Sequence, residues 1–175
     1  ASFEHTTLRY DGYLSCSYGN CSGQNSIVRG DGSASITLAY SEVRYSGREG
    51  IIMNNGNSAY TATLTLDHTT IANNTQRGIL MDAHHQGHNN LTVTNSTISN
   101  NASDGIWIDY PLALDVDSTT FTANGSYAMQ AYLNSAIELS QVHDIVANGN
   151  TRNAIYVTGS LSGNSWFRND VPWAI

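Results

Sequence analysis

The feature that most restricts the fold of this chain is a repeat running through nearly all of it. SITLAYSEVRYSGREGIIM from Ser35, TLTLDHTTIANNTQRGILM from Thr63, NLTVTNSTISNNASDGIWI from Asn90 and ALDVDSTTFTANGSYAMQA from Ala113 superpose without gaps. AIELSQVHDIVANGNTRNAIYV from Ala136 joins them with short insertions, and LRYDG at Leu8 repeats VRYSG at Val43 as a partial further copy. The anchors Ile36, Leu64, Leu91, Leu114 and Ile137 are spaced 28, 27, 23 and 23 residues apart. Such periods belong to chains that stack one supersecondary unit on the next.

Within each copy the apolar residues alternate over short runs, as in Ile36/Leu38, then Val43, then Ile51/Met53. Period 2 in three short pieces means three strands per copy, each too short to be a helix. The pattern therefore predicts an all-β, single-stranded parallel β-helix of about six to seven coils, one domain over residues 1–175. Like residues should stack in three inward columns, about 4.8 Å apart along the axis. These are Ile36/Leu64/Leu91/Leu114/Ile137, Val43/Ile71/Ile98/Phe121/Ile145 and Ile51/Ile79/Ile106/Met129/Ile155. A turn column of Asn74, Asn101, Asn124 and Asn148, headed by Ser46, should bond its amides along the axis. The L-x-x-L-x-L frame of leucine-rich repeats is missing.

Composition agrees with strands and turns. Asn, Ser and Thr number 19, 20 and 17 of 175 residues, while Glu is present four times and Lys not at all. A net charge of −7 argues against gripping nucleic-acid phosphates, and no apolar run approaches the roughly 18 residues of a membrane span. Cys16 and Cys21 are the only cysteines, inside a Ser/Gly/Tyr-rich insertion over about residues 13–26. A local disulfide is expected there, and with it an oxidising, extracellular or cell-surface setting; two free thiols would remove that inference.

These repeats resemble the right-handed parallel β-helix proteins, the superfamily of pectate lyases, polygalacturonases and many bacterial surface proteins. FEHTTLRYDG at Phe3–Gly12 and NAIYVTGSLSGNSWFRNDVPWAI at Asn153–Ile175 look most like the large secreted repeat proteins of environmental bacteria. The resemblance implies that the strand written GIxM lines the face used for catalysis in polygalacturonases. On it the outward residues are Ile52, Leu80, Trp107, Gln130 and Tyr156, then Asn54, Asp82, Asp109, Tyr132 and Thr158. Asp82 and Asp109 on neighbouring coils, beside Trp107, form the carboxylate pair about 5 Å apart that a retaining glycosidase needs. Asp104 matches the position of one polygalacturonase acid. Against hydrolase or lyase chemistry stand the missing NTD, DD, GHG and RIK motifs of those enzymes and the absence of lysine. Carbohydrate binding by Trp107, Tyr132, Tyr156 and Leu80 is the alternative reading of the same face.

No cofactor motif is present. The metal-ligating residue types gather in HHQGH, where His84, His85 and His88 with Asp82 could take a transition metal, or calcium could be used as in the lyases. Thr37, Thr65 and Thr92 form an outward column resembling ice-binding faces, but Asp115 and Glu138 interrupt it, and β-branching already favours threonine in exposed strands. Arg9 and Arg44 should pair with a nearby acid. Both ends look abrupt, with Phe3 starting inside a coil and Val171–Ile175 opening another. Either the segment continues into flanking β-helix coils, or Phe3, Val171, Trp173 and Ile175 take part in end-to-end or lateral contacts with further copies. The expected function is an extracellular structural or adhesive module.

Overall fold

The structure is a computed structural model that describes residues 1–9, 14–16 (backbone only), 26–84, 87–133, 137, 141–160 and 172–174. In chain order its strands are β1 (Ser2–Glu4), β2 (Thr7–Arg9), β3 (Leu14–Cys16), β4 (Val28–Asp31), β5 (Ser35–Ala39), β6 (Glu42–Arg44) and β7 (Ile51–Asn54). There follow β8 (Thr61–Asp67), β9 (Thr70–Ala72), β10 (Ile79–Asp82), β11 (His88–Thr94), β12 (Thr97–Ser99) and β13 (Ile106–Asp109). The last are β14 (Pro111–Asp117), β15 (Thr120–Thr122), β16 (Tyr127–Leu133), β17 (Val142–His143), β18 (Val146–Asn148), β19 (Arg152–Gly159) and β20 (Trp173–Ala174).

Each coil places one strand in each of three parallel sheets, and β3 and β20 are additional strands at the two ends of the third. The first sheet runs β1-β5-β8-β11-β14-β17, the second β2-β6-β9-β12-β15-β18, and the third β3-β4-β7-β10-β13-β16-β19-β20. The result is a right-handed solenoid, all-β as the repeat predicts, but of about five turns where six to seven coils were expected. Strands read buried–intermediate–buried along their length, so every second residue points inward. Ile36, Leu64, Leu91 and Leu114 align across the first sheet. The third-sheet column is the longest: Leu14, Val28, Ile51, Ile79, Ile106, Met129, Ile155 and Trp173 are successive partners. Leu8 aligns with Val43 and Arg9 with Arg44, as the partial copy predicts.

The last coil departs from the expected register. Phe121 pairs with Ala147, not Ile145, and the amide column continues to Asn150, not Asn148. Both errors are the same two-residue slip, which preserves the inside–outside alternation and is invisible to an apolar pattern. Ile145 is still buried, at the corner position before β18. Likewise the β14–β17 ladder runs through Val116 and Val142, leaving Ile137 buried but outside it.

The ends differ from expectation as well. Ser2–Glu4 does supply the first-sheet strand of the first coil, pairing with Thr37–Ala39. Residues 14–16, inside the cysteine insertion, form a strand that extends the third sheet beneath β4. Trp173–Ala174 adds a strand at the other end of that sheet. Among the described strands β3 and β20 are thus the outer members of that sheet. Cys21, Val171 and Ile175 lie outside the described residues, and of Cys16 only the backbone is described.

Candidate functional site

Two corners bring polar groups inside, and they set what remains for the surface. Between the second and third sheets, Ser46 N donates to Asn74 Oδ1 at 2.9 Å, and the Asn74 Nδ2 to Asn101 Oδ1 at 2.8 Å. Asn101 repeats this on Asn124 at 3.0 Å, Asn124 on Asn150 at 2.9 Å, and Asn150 on Asn153 at 3.2 Å. The backbone N–H of each rung donates to the same oxygen. A second amide proton reaches a carbonyl of the coil below, Ile71, Ile98 or Phe121. Asn74, Asn101, Asn124 and Asn150 are all buried, so these bonds form out of reach of water.

Between the first and second sheets the chain turns through a left-handed residue in every coil: His5, Tyr40, His68, Asn95, Ser118 and Asp144, with φ between 47° and 51°. The residue that follows is a buried hydroxyl at Ser41, Thr69, Ser96 and Thr119. Their hydroxyls donate to the carbonyls of Ala39, Asp67, Thr94 and Asp117. Sequence reasoning missed this column, although a Ser or Thr two residues before each of Val43, Ile71, Ile98 and Phe121 was there to be read.

The outer face of the third sheet carries the candidate site. Ile52, Leu80, Trp107, Gln130 and Tyr156 are successive partners, and Asp31, Asn54 and Asp82 form the next outward row, which Asp109, Tyr132 and Thr158 continue. The expected neighbours are thus brought together. Their polar atoms, however, are engaged within the chain. Trp107 Nε1 donates to Asp109 Oδ1 at 2.9 Å, and His84 N donates to Asp82 Oδ1 at 2.8 Å. Asp104 is buried, accepting from Tyr127 N at 3.1 Å and lying 3.4 Å from Arg77 Nε. Arg77 also approaches the buried Glu49 at 3.8 Å, so one guanidinium bridges two buried carboxylates.

The aromatic rings are engaged too. Arg77 covers the Trp107 ring at 4.4 Å. Tyr156 stacks on Tyr127 at 5.1 Å, whose ring is covered by Arg152 at 4.8 Å. Tyr132 packs edge-on against Tyr110 and is 37% exposed. Burial, reinforced by Tyr132 and Asp109, pushes the Tyr110 phenol above its ordinary pKa.

The HHQGH segment does not close into a metal centre among the described residues. His84 Nε2 lies 2.8 Å from Asn54 Oδ1 and 3.5 Å from Asp82 Oδ2, and His88 Nδ1 is buried without a hydrogen bond. His85 lies outside the described residues. Among those residues the one gathered set of metal-ligating atoms is elsewhere, at Asp117, His143 and Asp144. There His143 Nδ1 contacts both carboxylates, at 2.9 and 3.0 Å. Arg9 and Arg44 both pair with Glu42, as expected of them.

The chain matches the family described as the right-handed beta helix region over residues 14–171, and it belongs to that family. No curated protein and no solved structure matches it. The family name defines a scaffold on which unrelated functions are carried.

Proposed function

We propose that this chain is a structural, adhesive β-helix module of an extracellular or cell-surface protein, working through its outer faces and not through catalysis. The observation that carries the reading is the state of the three candidate carboxylates. Each of Asp82, Asp104 and Asp109 accepts a hydrogen bond from its own chain, and Asp104 is also buried beside Arg77. A glycosidase needs one carboxyl poised as acid and another free to attack or to activate water. The test is a screen of pectin, alginate and neutral polysaccharides for released product. No release is expected; release that disappears in Asp82→Asn or Asp109→Asn would overturn the proposal.

A second reading, carbohydrate binding without cleavage, is favoured by one feature: the row of Leu80, Trp107 and Tyr156 across the coils, with Tyr132 beside it. Trp107 and Tyr156, two coils apart with Gln130 between them, and Tyr132 in the neighbouring row offer spaced aromatic platforms for an extended glycan. A glycan array with the parent chain and Tyr132→Ala decides it. Binding that the substitution weakens supports the second reading, and no binding to any glycan supports the first.

A further inference from the structure

Three Asn–Gly dipeptides occur in the chain, at Asn55–Gly56, Asn124–Gly125 and Asn148–Gly149. Glycine offers the least steric hindrance to attack by its own backbone nitrogen on the preceding side-chain amide. That reaction needs an amide group free to rotate and a glycine N–H that is not held in a hydrogen bond. The fold separates the three sites sharply. Asn55 is fully buried, and its Nδ2 donates to the Tyr60 and His88 carbonyls. Asn124 is a rung of the amide ladder, donating to Asn150 Oδ1 and the Ile98 carbonyl, and Gly125 N donates to the Asn101 carbonyl.

Asn148 is the least restrained of the three, with its amide held at a single point. Both Asn148 and Gly149 are exposed, and the Gly149 N–H makes no hydrogen bond among the described residues. The one side-chain contact of Asn148 is at its oxygen, which accepts from Thr122 Oγ1 at 2.7 Å. That bond leaves the amide nitrogen free as a leaving group and draws electron density from the carbon to be attacked. We infer that Asn148–Gly149 is a self-modification site at which the chain converts Asn148 to aspartate and isoaspartate. Gly149 N loses its proton and bonds to Asn148 Cγ, the Cγ–Nδ2 bond breaks, and ammonia leaves. Water then opens the cyclic imide at either carbonyl.

The position gives the reaction a structural consequence. Asn150, two residues on, accepts from both Asn124 N and Asn124 Nδ2 and ties the last coil to the ladder. Opening the imide to isoaspartate lengthens the backbone by one methylene between β18 and that rung. Opening it to aspartate does not. Ageing through isoaspartate therefore loosens the last coil, whereas the bare charge change does not.

The test is incubation of the whole chain in mildly alkaline buffer, with peptide mass spectrometry and isoaspartyl methyltransferase labelling of the three sites. Residue 148 should convert at least several-fold faster than residues 124 and 55. Amide hydrogen exchange over residues 142–157 should rise in the aged protein and stay at the parent level in Asn148→Asp. Equal conversion at residues 124 or 55, or an intact Asn148 after a free peptide of sequence VANGN has converted, would overturn the site. Unchanged exchange in a sample carrying isoaspartate at 148 would overturn its link to the ladder.

Discussion

Asn101 and Asp109 lie on the same coil, one at the corner entering the third sheet and the other on that sheet's outer face. Both side chains are polar, and both accept hydrogen bonds from their own chain. The difference is where the partners come from. Asn101 bonds to the coils above and below it, out of contact with water. Asp109 accepts from Trp107, two residues away on the same strand, at a half-buried position of the outer face. The first arrangement joins coils and leaves orphaned groups when broken; the second shapes a surface, and water replaces whatever is removed. Polar groups in this solenoid therefore act as fold determinants at corners and as surface chemistry on sheets.

Breaking the corner should have the largest effect. Asn101→Ala removes the acceptor of two buried donors on Asn74 and the donors to Asn124 and Ile71, and at about 1–3 kcal/mol per orphaned group a loss of about 4 kcal/mol is expected by denaturant unfolding. Arg77→Met tests the boundary between the two regions. It strips the shared cation from Glu49 and Asp104, whose side chains are 1% and 4% exposed, and should cost about 3 kcal/mol. The same substitution uncovers the Trp107 ring, so a change in tryptophan fluorescence should accompany it. Asp109→Asn on the outer face should change stability by less than about 1 kcal/mol, since the Trp107 N–H can find water or the new amide oxygen.

The smallest effect concerns acid. Asp67 is held below the ordinary carboxylate range, first by its hydrogen bond with His68 and further by Asn95 and Thr94, with desolvation opposing. A depressed folded pKa means stability that is complete above the unfolded value of 3.8 and is lost as pH falls through the lower folded value. Because the Asp67 side chain is 38% exposed, solvent screens the pair, and Asp67→Asn should flatten the acid limb of the stability profile only slightly.

How much of this was legible in the sequence depends on which signal a residue carries. The third-sheet column from Ile51 to Ile155 was readable because a glycine or small residue precedes each inward apolar residue and marks the register in every copy. The Asn column was readable through Asn124 because each Asn there lies three residues after one inward column and five before the next. In the last copy the two spacings part: Asn148 keeps the first, after Ile145, and Asn150 keeps the second, before Ile155, and the structure selects Asn150. Trp107, Asp82 and Asp109 were correctly set on one face, since strand alternation decides that. Their engagement with Arg77, His84 and each other was not legible, because it depends on rotamers and on residues one coil away. The burial of Asp104 between Arg77 and Tyr127 was hidden for the same reason.

The most direct test of the claim that polar corners hold the coils together is hydrogen exchange at single-residue resolution. The backbone N–H groups of Ser46, Asn74, Asn101 and Asn124 donate to side-chain oxygens of the next coil, not to strand carbonyls. They should be protected as strongly as the amides of Ile71 and Ile98 in the adjoining strands, opening only with the cooperative unfolding of the coils. Exchange of these four amides at the rate of exposed turns, with the strands still protected, would contradict the account.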